Sequence, residues 1–353
     1  MRRFFATFPA GTYDIIARDL KRFKMSELVM REHDDSSLVF DTALTDERII
    51  EVRYFTNAYR VLDRVSDLDS SSLTGRFYQL TYLKNGQPEQ LADSERDSIE
   101  RDIGSTFHLI KDAHKSRNNF VVVERESGAR FLTLRLSRAK FKRDDLEPGE
   151  LRPELAHILC VAARLSASHT VVDPFAGHGA IALEAVRGFG CRTVYASDIE
   201  LDPARRQHDS IHWQTADARS LTFLDDDSVD RIVTDPPWGH YRDQERATES
   251  GSPVDLYADF AGEALRVLRR DGLLIMLTGF ADAGVALGAA RAAIPAAGAG
   301  AGTDATADAA DATGPPGARI ALLEPIDSWN VLVSGRSASI LKYRKLVRRA
   351  ASA

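Results

Sequence analysis

Residues 171–186 read VVDPFAGHGAIALEAV, and further along the chain residues 235–238 read DPPW. The first stretch is a short apolar strand ending in an acid, a turn rich in glycine and the start of an amphipathic helix. In a doubly wound α/β domain, a ligand containing adenosine is held in such a turn, at the carboxyl end of the first strand. Asp173 offers a carboxylate at the strand tip, and Gly177 and Gly179 allow close backbone approach and a positive φ. A turn of this kind is also found as a plain strand-to-helix connection, so the acids that follow it carry more of the reading. TVYASD ends on Asp198 about 20 residues beyond the glycines, where a ribose-binding carboxylate is expected. Asp217 in QTADARSL ends a third expected strand, and Asp235 after SVDRIVT ends a fourth. Asp caps helices after many strands, which explains one or two such positions better than all four. Four acids at strand ends line one edge of a parallel sheet, the edge where these folds bind ligands.

The Asp-Pro-Pro-Trp loop has a chemistry of its own. An exocyclic amine on a base is a poor nucleophile because its lone pair is delocalised into the ring, so a site must orient that lone pair. Asp235 and the Pro236 carbonyl can accept its two N–H bonds, Pro236 and Pro237 stiffen the loop without adding donors, and Trp238 offers a ring face for stacking a base. These residues resemble the class I S-adenosylmethionine-dependent methyltransferases, and DPPW resembles the motif of their amino-group branch. The resemblance implies a Rossmann-like domain with a mostly parallel seven-stranded sheet. It also implies S-adenosylmethionine binding by Asp173, Phe175, Ala176, Gly177, His178, Gly179, Asp198, Ile199, Asp217 and Ala218, with Asp235, Pro236, Pro237 and Trp238 on the target. Two departures stand out. His178 occupies a turn position that is usually small in that family, and the stretch between Asp198 and Asp217 leaves room only for a short or broken helix over Pro203 to Asp209.

Ahead of this domain, residues 1–66 read as β-α-β-β-α-β, the ferredoxin-like order, and Asp67 to Gly75 with its serines reads as a linker. Residues 75–138 read as strand, acidic helix over Asp93 to Phe107, strand and strand. The order of the two pieces is similar to the ferredoxin-like region and THUMP domain of the family that makes N2-methylguanosine in transfer RNA. EPGELRPELAHIL resembles the entry helix of that family's catalytic domain, here expected over 148–346, and NVLVSGRSASILKYRK its closing hairpin. The Ala/Gly-rich stretch 296–318 lacks the apolar content to pack and reads as an insertion.

Charge and cysteine usage bound the rest. With 46 Lys+Arg against 52 Asp+Glu the formal charge is −6, so a nucleic-acid surface has to come from local excess. Such excess runs from His108 to Arg143 and again after Val331; Lys111, Lys115, Arg117, Arg135 and Arg138 are the candidate RNA contacts. No stretch approaches the roughly 20 apolar residues of a membrane span. The two cysteines, Cys160 and Cys191, read as free thiols of a cytoplasmic protein, and no cluster has metal-ligand spacing, so no metal is expected. The expected activity is transfer of a methyl group from S-adenosylmethionine to an exocyclic amine of structured RNA, guanine N2 of tRNA first. The same residues leave open an amino-methyltransferase of rRNA or DNA, and an RNA-binding protein with a vestigial methyltransferase domain.

Overall fold

A computed structural model describes residues 1–22, 28–136, 150–201, 208–238, 253–294 and 319–349. The chain divides into two compact units, Met1–Leu146 and Glu147–Ala353.

The first unit opens with β1 (Arg2–Thr7), α1 (Tyr13–Arg22), β2 (Val29–His33), β3 (Ser37–Thr42), α2 (Asp46–Ile50) and β4 (Asn57–Leu62). These four strands run β2-β3-β1-β4, antiparallel throughout, the ferredoxin-like arrangement expected from their order. All six residues of β3 are buried, and Ile15, Ile16 and Leu20 of α1 are buried as well. β5 (Phe77–Lys84), β6 (Gln87–Glu89), α3 (Asp93–Phe107), β7 (Ile110–Lys111), β8 (Asn118–Glu124) and β9 (Arg130–Arg135) follow. The two pieces are not separated as the serine-rich linker suggested. β4 pairs antiparallel with β9, so one sheet runs β2-β3-β1-β4-β9-β8-β5-β6, with β7 beside β5. The linker itself is ordered by tight 3₁₀ turns at Val65–Asp67 and Ser70–Ser72. Its end is held by Asn118, whose amide donates to the carbonyls of Thr74 and Phe77 and accepts from the Thr74 N–H at 2.7 Å. β6 and β7 escaped the sequence reading because strands of two or three residues carry no periodicity.

The second unit begins with α4 (Pro153–Ala162), β10 (Thr170–Asp173), α5 (Ala180–Phe189), β11 (Thr193–Asp198) and β12 (Ile211–Thr215). It continues with β13 (Val229–Thr234), α6 (Pro253–Val267), β14 (Leu268–Thr278), α7 (Ala283–Ala289), β15 (Arg291–Ile294), β16 (Arg319–Val333) and β17 (Arg336–Arg349). The sheet order is β12-β11-β10-β13-β14-β17-β16-β15. Neighbours from β12 to β14 are parallel, and the last three pairings are antiparallel. Eight strands are present among the described residues where seven were expected, the eighth being β15 on the sheet edge. The insertion 296–318 and the expected short helix over Pro203 to Asp209 fall, wholly or mostly, outside the described residues.

The apolar run Leu273 to Leu277 in β14 fits a strand covered on both faces, and these residues are almost fully buried. β16 turns into β17 through Ser334 and Gly335, both at positive φ, as a two-residue hairpin turn requires. What positions the site is the order of strands. After β10 the chain builds outward to β11 and β12, then returns to the other side of β10 as β13. The carboxyl ends of β10 and β13 therefore flank the switch point of the sheet, where such folds open a crevice.

The joining of the two N-terminal pieces has a measurable anchor. Arg125, just past β8, is almost completely buried and donates to Glu32 at 3.1 Å, Asp34 at 2.8 Å and Ser37 at 2.9 Å on and beside the β2-β3 hairpin. Arg125→Met leaves two carboxylates without their cation, and should lower the stability of this unit by about 2 kcal/mol in a urea titration. The unfolding of the second unit should not move; if both shift together, the anchor is not local to the first unit.

Candidate active site

The turn after β10 is built as its glycines suggest. Gly177 and Gly179 have φ of 47° and 80°, and the Gly179 N–H donates to the Ala176 carbonyl at 2.6 Å. Gly179 caps α5, and a Cβ there would lie 2.3 Å from the Trp213 ring, so both its conformation and its neighbour demand glycine. The turn is tied to the end of β11: Ala176 N–H donates to the Ser197 carbonyl at 2.9 Å, and Gly177 N–H to Asp198 Oδ2 at 2.9 Å. The other Asp198 oxygen accepts from the Glu200 N–H at 3.0 Å. Ile199, beside it, is an exposed large apolar side chain, an apolar shelf next to a carboxylate.

Asp173 and Asp235 stand where β10 and β13 end. Asp173 is buried and accepts from the Thr234 hydroxyl at 2.7 Å and the Phe175 N–H at 3.3 Å. Burial pushes its carboxyl up to about 7 against those hydrogen bonds, and the charges of Asp235 and Asp198 push the same way. Asp235 is also raised to about 7 by burial, opposed by the Trp238 indole N–H donating to its Oδ1 at 2.8 Å. Phe175 packs edge-on against Phe260 of α6, with ring centres 5.2 Å apart.

The DPPW loop is seated on the end of β14. The Trp238 ring lies so close over Gly279 that a Cβ there would approach it to 2.4 Å. The indole, expected as a stacking face, thus spends its N–H on Asp235 and part of its ring on a glycine backbone. The Pro237 carbonyl accepts from the Tyr257 hydroxyl at 3.1 Å. Neither Tyr257 nor Gly279 carries a signal in the sequence. A tyrosine in the pattern PVDLYADFAGEALRV reads as a core residue, and only the tertiary fold shows where its hydroxyl goes.

Asp217 sits two residues past β12. Its oxygens accept from the Arg219 backbone N–H at 2.9 Å and from its guanidinium at 2.7 to 3.1 Å, which hold the carboxyl below its ordinary value. This acid is thus engaged within its own turn, and the Ala218 side chain next to it is buried in the domain core. Around the glycine turn, His178 Nε2, Ser197 Oγ and Trp213 Nε1 are buried and have no hydrogen-bond partner among the described residues. A buried polar atom without a partner costs about 1–3 kcal/mol, so three at one turn fit a polar ligand seated there that rearranges them and supplies partners.

The expected RNA contacts do not form one cluster. Lys111 on β7 pairs with Glu100 at 2.5 Å, and Lys115 pairs with Asp112 at 3.4 Å while lying over the Phe77 ring at 5.4 Å. Arg117 is exposed in the same loop. Arg135 on β9 donates to Asn57 of β4, with β8 and β5 between it and β7. Arg138 lies outside the described residues. Among the described residues there is no group of three His, Cys, Asp or Glu that could hold a metal ion, and no helix long and apolar enough to cross a membrane.

Residues 140–189 and 196–283 match the UPF0020 family model, described as an RMKL-like methyltransferase domain. A tRNA (guanine(6)-N2)-methyltransferase of Thermus thermophilus is 32% identical over 197 residues, 51% of this chain and 56% of that protein. A tRNA (guanine(10)-N2)-dimethyltransferase of Methanothermobacter thermautotrophicus is 32% identical over 142 residues, 38% of this chain and 40% of that protein. The chain thus spans about half the length of these curated relatives. The crystal structure of TrmN from Thermus thermophilus is similar over 98% of this chain and 100% of that one, with a TM-score of 0.70 at 21% identity. That of SMU.472, complexed with SAH, is similar over 97% of both chains, with a TM-score of 0.61 at 10% identity. These two likenesses extend the shared fold across both units.

Asp235 gives a pH test that needs no substrate. The Asp235 carboxyl moves from an ordinary value of 3.8 to about 7 on folding, so its contribution to stability is complete below 3.8 and is lost as pH rises to 7. Asp235→Asn keeps an acceptor for the Trp238 indole and carries no charge at any pH. The margin by which its melting temperature exceeds the parent's should grow between pH 5 and pH 8 by about 3 °C or more. A difference that is the same at both pH values would show that Asp235 is not held in a poorly solvated place.

Proposed function

We propose that the chain, whose residues 140–189 and 196–283 match the UPF0020 model of an RMKL-like methyltransferase domain, transfers a methyl group from S-adenosylmethionine to an exocyclic amine of RNA, guanine N2 of tRNA. The observation that carries this reading is the half-buried Asp235 in a proline-stiffened loop, set at the switch point beside the glycine turn of β10. The two tRNA guanine-N2 relatives support the choice of substrate.

The residues divide the work by position. The turn from Asp173 to Gly179 holds the methionine part, Asp198 the ribose hydroxyls with Ile199 under the adenine, and the Asp217-Ala218 segment the adenine edge. Because Asp217 is already bonded to Arg219, its carboxylate has less to offer an adenine amine than a free acid would. S-adenosylmethionine, when bound, supplies an electrophilic methyl group on a sulfonium sulfur. Asp235 and the Pro236 carbonyl accept the two N–H bonds of the target amine and so turn its lone pair toward that methyl. As the new N–C bond forms and the S–C bond breaks, the nitrogen becomes acidic and gives up a proton. A carboxylate with a pKa of about 7 is suited to receive it near neutral pH. The first unit, with its ferredoxin-like and THUMP-like halves on one sheet, presents the RNA, using Lys115 and Arg117 of one exposed loop as phosphate contacts.

The test is to incubate the protein with labelled S-adenosylmethionine and unmodified tRNA and digest the product to nucleosides. N2-methylguanosine supports the reading; label in DNA or rRNA alone, or no binding of the cosubstrate, removes it. Asp235→Ala should reduce transfer by at least 100-fold with cosubstrate affinity within about threefold of the parent, since removing an electrostatic partner of the reacting atom typically has effects of that size. Loss of cosubstrate binding in this variant would move Asp235 into the other half of the pocket. Replacing Lys115 and Arg117 together by Ala should weaken tRNA binding and reduce the slope of log affinity against log salt by about 1 to 2. An unchanged slope places the phosphate contacts elsewhere.

A further inference from the structure

The loop proposed to receive the amine contains four backbone carbonyls and one carboxylate, and only some of them should face the substrate. The hydrogen bonds beneath the loop sort them. Thr278, the last residue of β14, accepts at Oγ1 from the Phe280 N–H at 3.0 Å, and the same oxygen lies 2.8 Å from the Tyr257 hydroxyl. Because the Pro237 carbonyl can only accept, the Tyr257 hydroxyl donates to it, and the Thr278 hydroxyl donates to Tyr257 Oη. The Tyr257 hydroxyl proton is then committed to the Pro237 carbonyl, 3.1 Å away. Tyr257 is 1% exposed and packs against Phe280 at 5.2 Å, so this chain of hydroxyls runs through a dry interior where its direction is fixed. The other end of the loop is pinned by the Trp238 indole, which rests on Gly279 and donates to Asp235 Oδ1. Residues 278–280 thus supply both fixings: Thr278 through Tyr257, and Gly279 by its lack of a side chain.

We infer that Tyr257 is a positioning residue of the methyl-transfer site: by engaging the Pro237 carbonyl it sets the peptide that follows Pro236, and so aims the Pro236 carbonyl and the second oxygen of Asp235 at the target amine. The inference rests on the activity proposed above. Tyr257 does not touch the substrate, and its effect passes through the loop. A misplacement of about 1 Å in such acceptors is enough to lose two orders of magnitude in rate, which is why a buried hydroxyl outside the pocket can matter to turnover.

Tyr257→Phe keeps the ring and deletes only the hydroxyl, and Thr278→Val deletes its relay, while Thr278→Ser retains it. Each is compared with the parent by calorimetric titration of S-adenosylhomocysteine and by steady-state transfer to tRNA. Expected are affinity for S-adenosylhomocysteine and KM for tRNA within about twofold of the parent in all three, with kcat reduced at least tenfold in Tyr257→Phe and Thr278→Val but not in Thr278→Ser. The double variant Tyr257→Phe, Thr278→Val should be no slower than the slower single one, because both break one chain. The inference is overturned if Tyr257→Phe keeps kcat within twofold, if it loses S-adenosylhomocysteine binding, or if the two losses multiply. No transfer to RNA by the parent itself overturns the proposed function, and this inference with it; transfer by the parent with an indifferent Tyr257 overturns this inference alone.

Discussion

Asp173 and Asp235 share a shortage of solvent. They stand at the ends of neighbouring parallel strands, both raised to about 7 by burial, with Asp198 close enough to add to the charge on Asp173. A sheet that ends three strands on acids at its switch point concentrates negative charge where water is scarce, and the surrounding structure serves to make that tolerable. Thr234 and the Phe175 N–H answer Asp173, the N–H groups of Gly177 and Glu200 answer Asp198, and the Trp238 indole answers Asp235. A sulfonium cosubstrate bound as proposed would bring positive charge to this place, so the arrangement that is costly in the free protein would favour the bound one.

The loop of Asp235 illustrates how positions far apart in sequence combine. Prolines restrict its backbone, but restriction alone does not choose a direction. The direction comes from β14 and α6, through a glycine that admits the Trp238 ring and a tyrosine that reaches one carbonyl. Since β13 and β14 are parallel neighbours in register from Arg231 with Leu273 to Thr234 with Met276, the loop after one strand is delivered onto the end of the other.

Much of this was legible before any coordinates. The acids at 173, 198 and 235 fall at strand ends because apolar runs of strand length precede them, and α3 matches the acidic stretch Asp93 to Phe107 from end to end. Asp217 reads as the end of a third strand, but that strand stops at Thr215 and the acid lies two residues beyond it. What could not be read depends on pairing between distant segments. Nothing in ASN-type turn chemistry around residue 118 announces that its amide would tie down Thr74, and no periodicity distinguishes Tyr257 from the apolar residues of its helix face. The serine-rich segment reads as a boundary because its composition is that of a linker. The pairing of β4 with β9 that contradicts it is a contact between strands separated by the whole of the second piece.

That pairing has a consequence for how the first unit can go wrong. A single sheet assembled from two sequence-contiguous halves has its seam at β4 and β9, where Tyr59 faces Arg135 and Leu62 faces Leu132. If the seam opens, each half presents an unpaired strand edge complementary to the other, and a second copy of the chain offers the same two edges. Exchange of halves between copies would then restore every ladder bond at little cost, with the Ser70–Ser72 turn region as the hinge. The Arg125 contacts with Glu32, Asp34 and Ser37 cross the same seam and would re-form between two copies as well, so they resist its opening without choosing between one chain and two. A buried arginine remote in sequence from the Asp235 loop thus governs how readily the seam opens, and not which copy closes it.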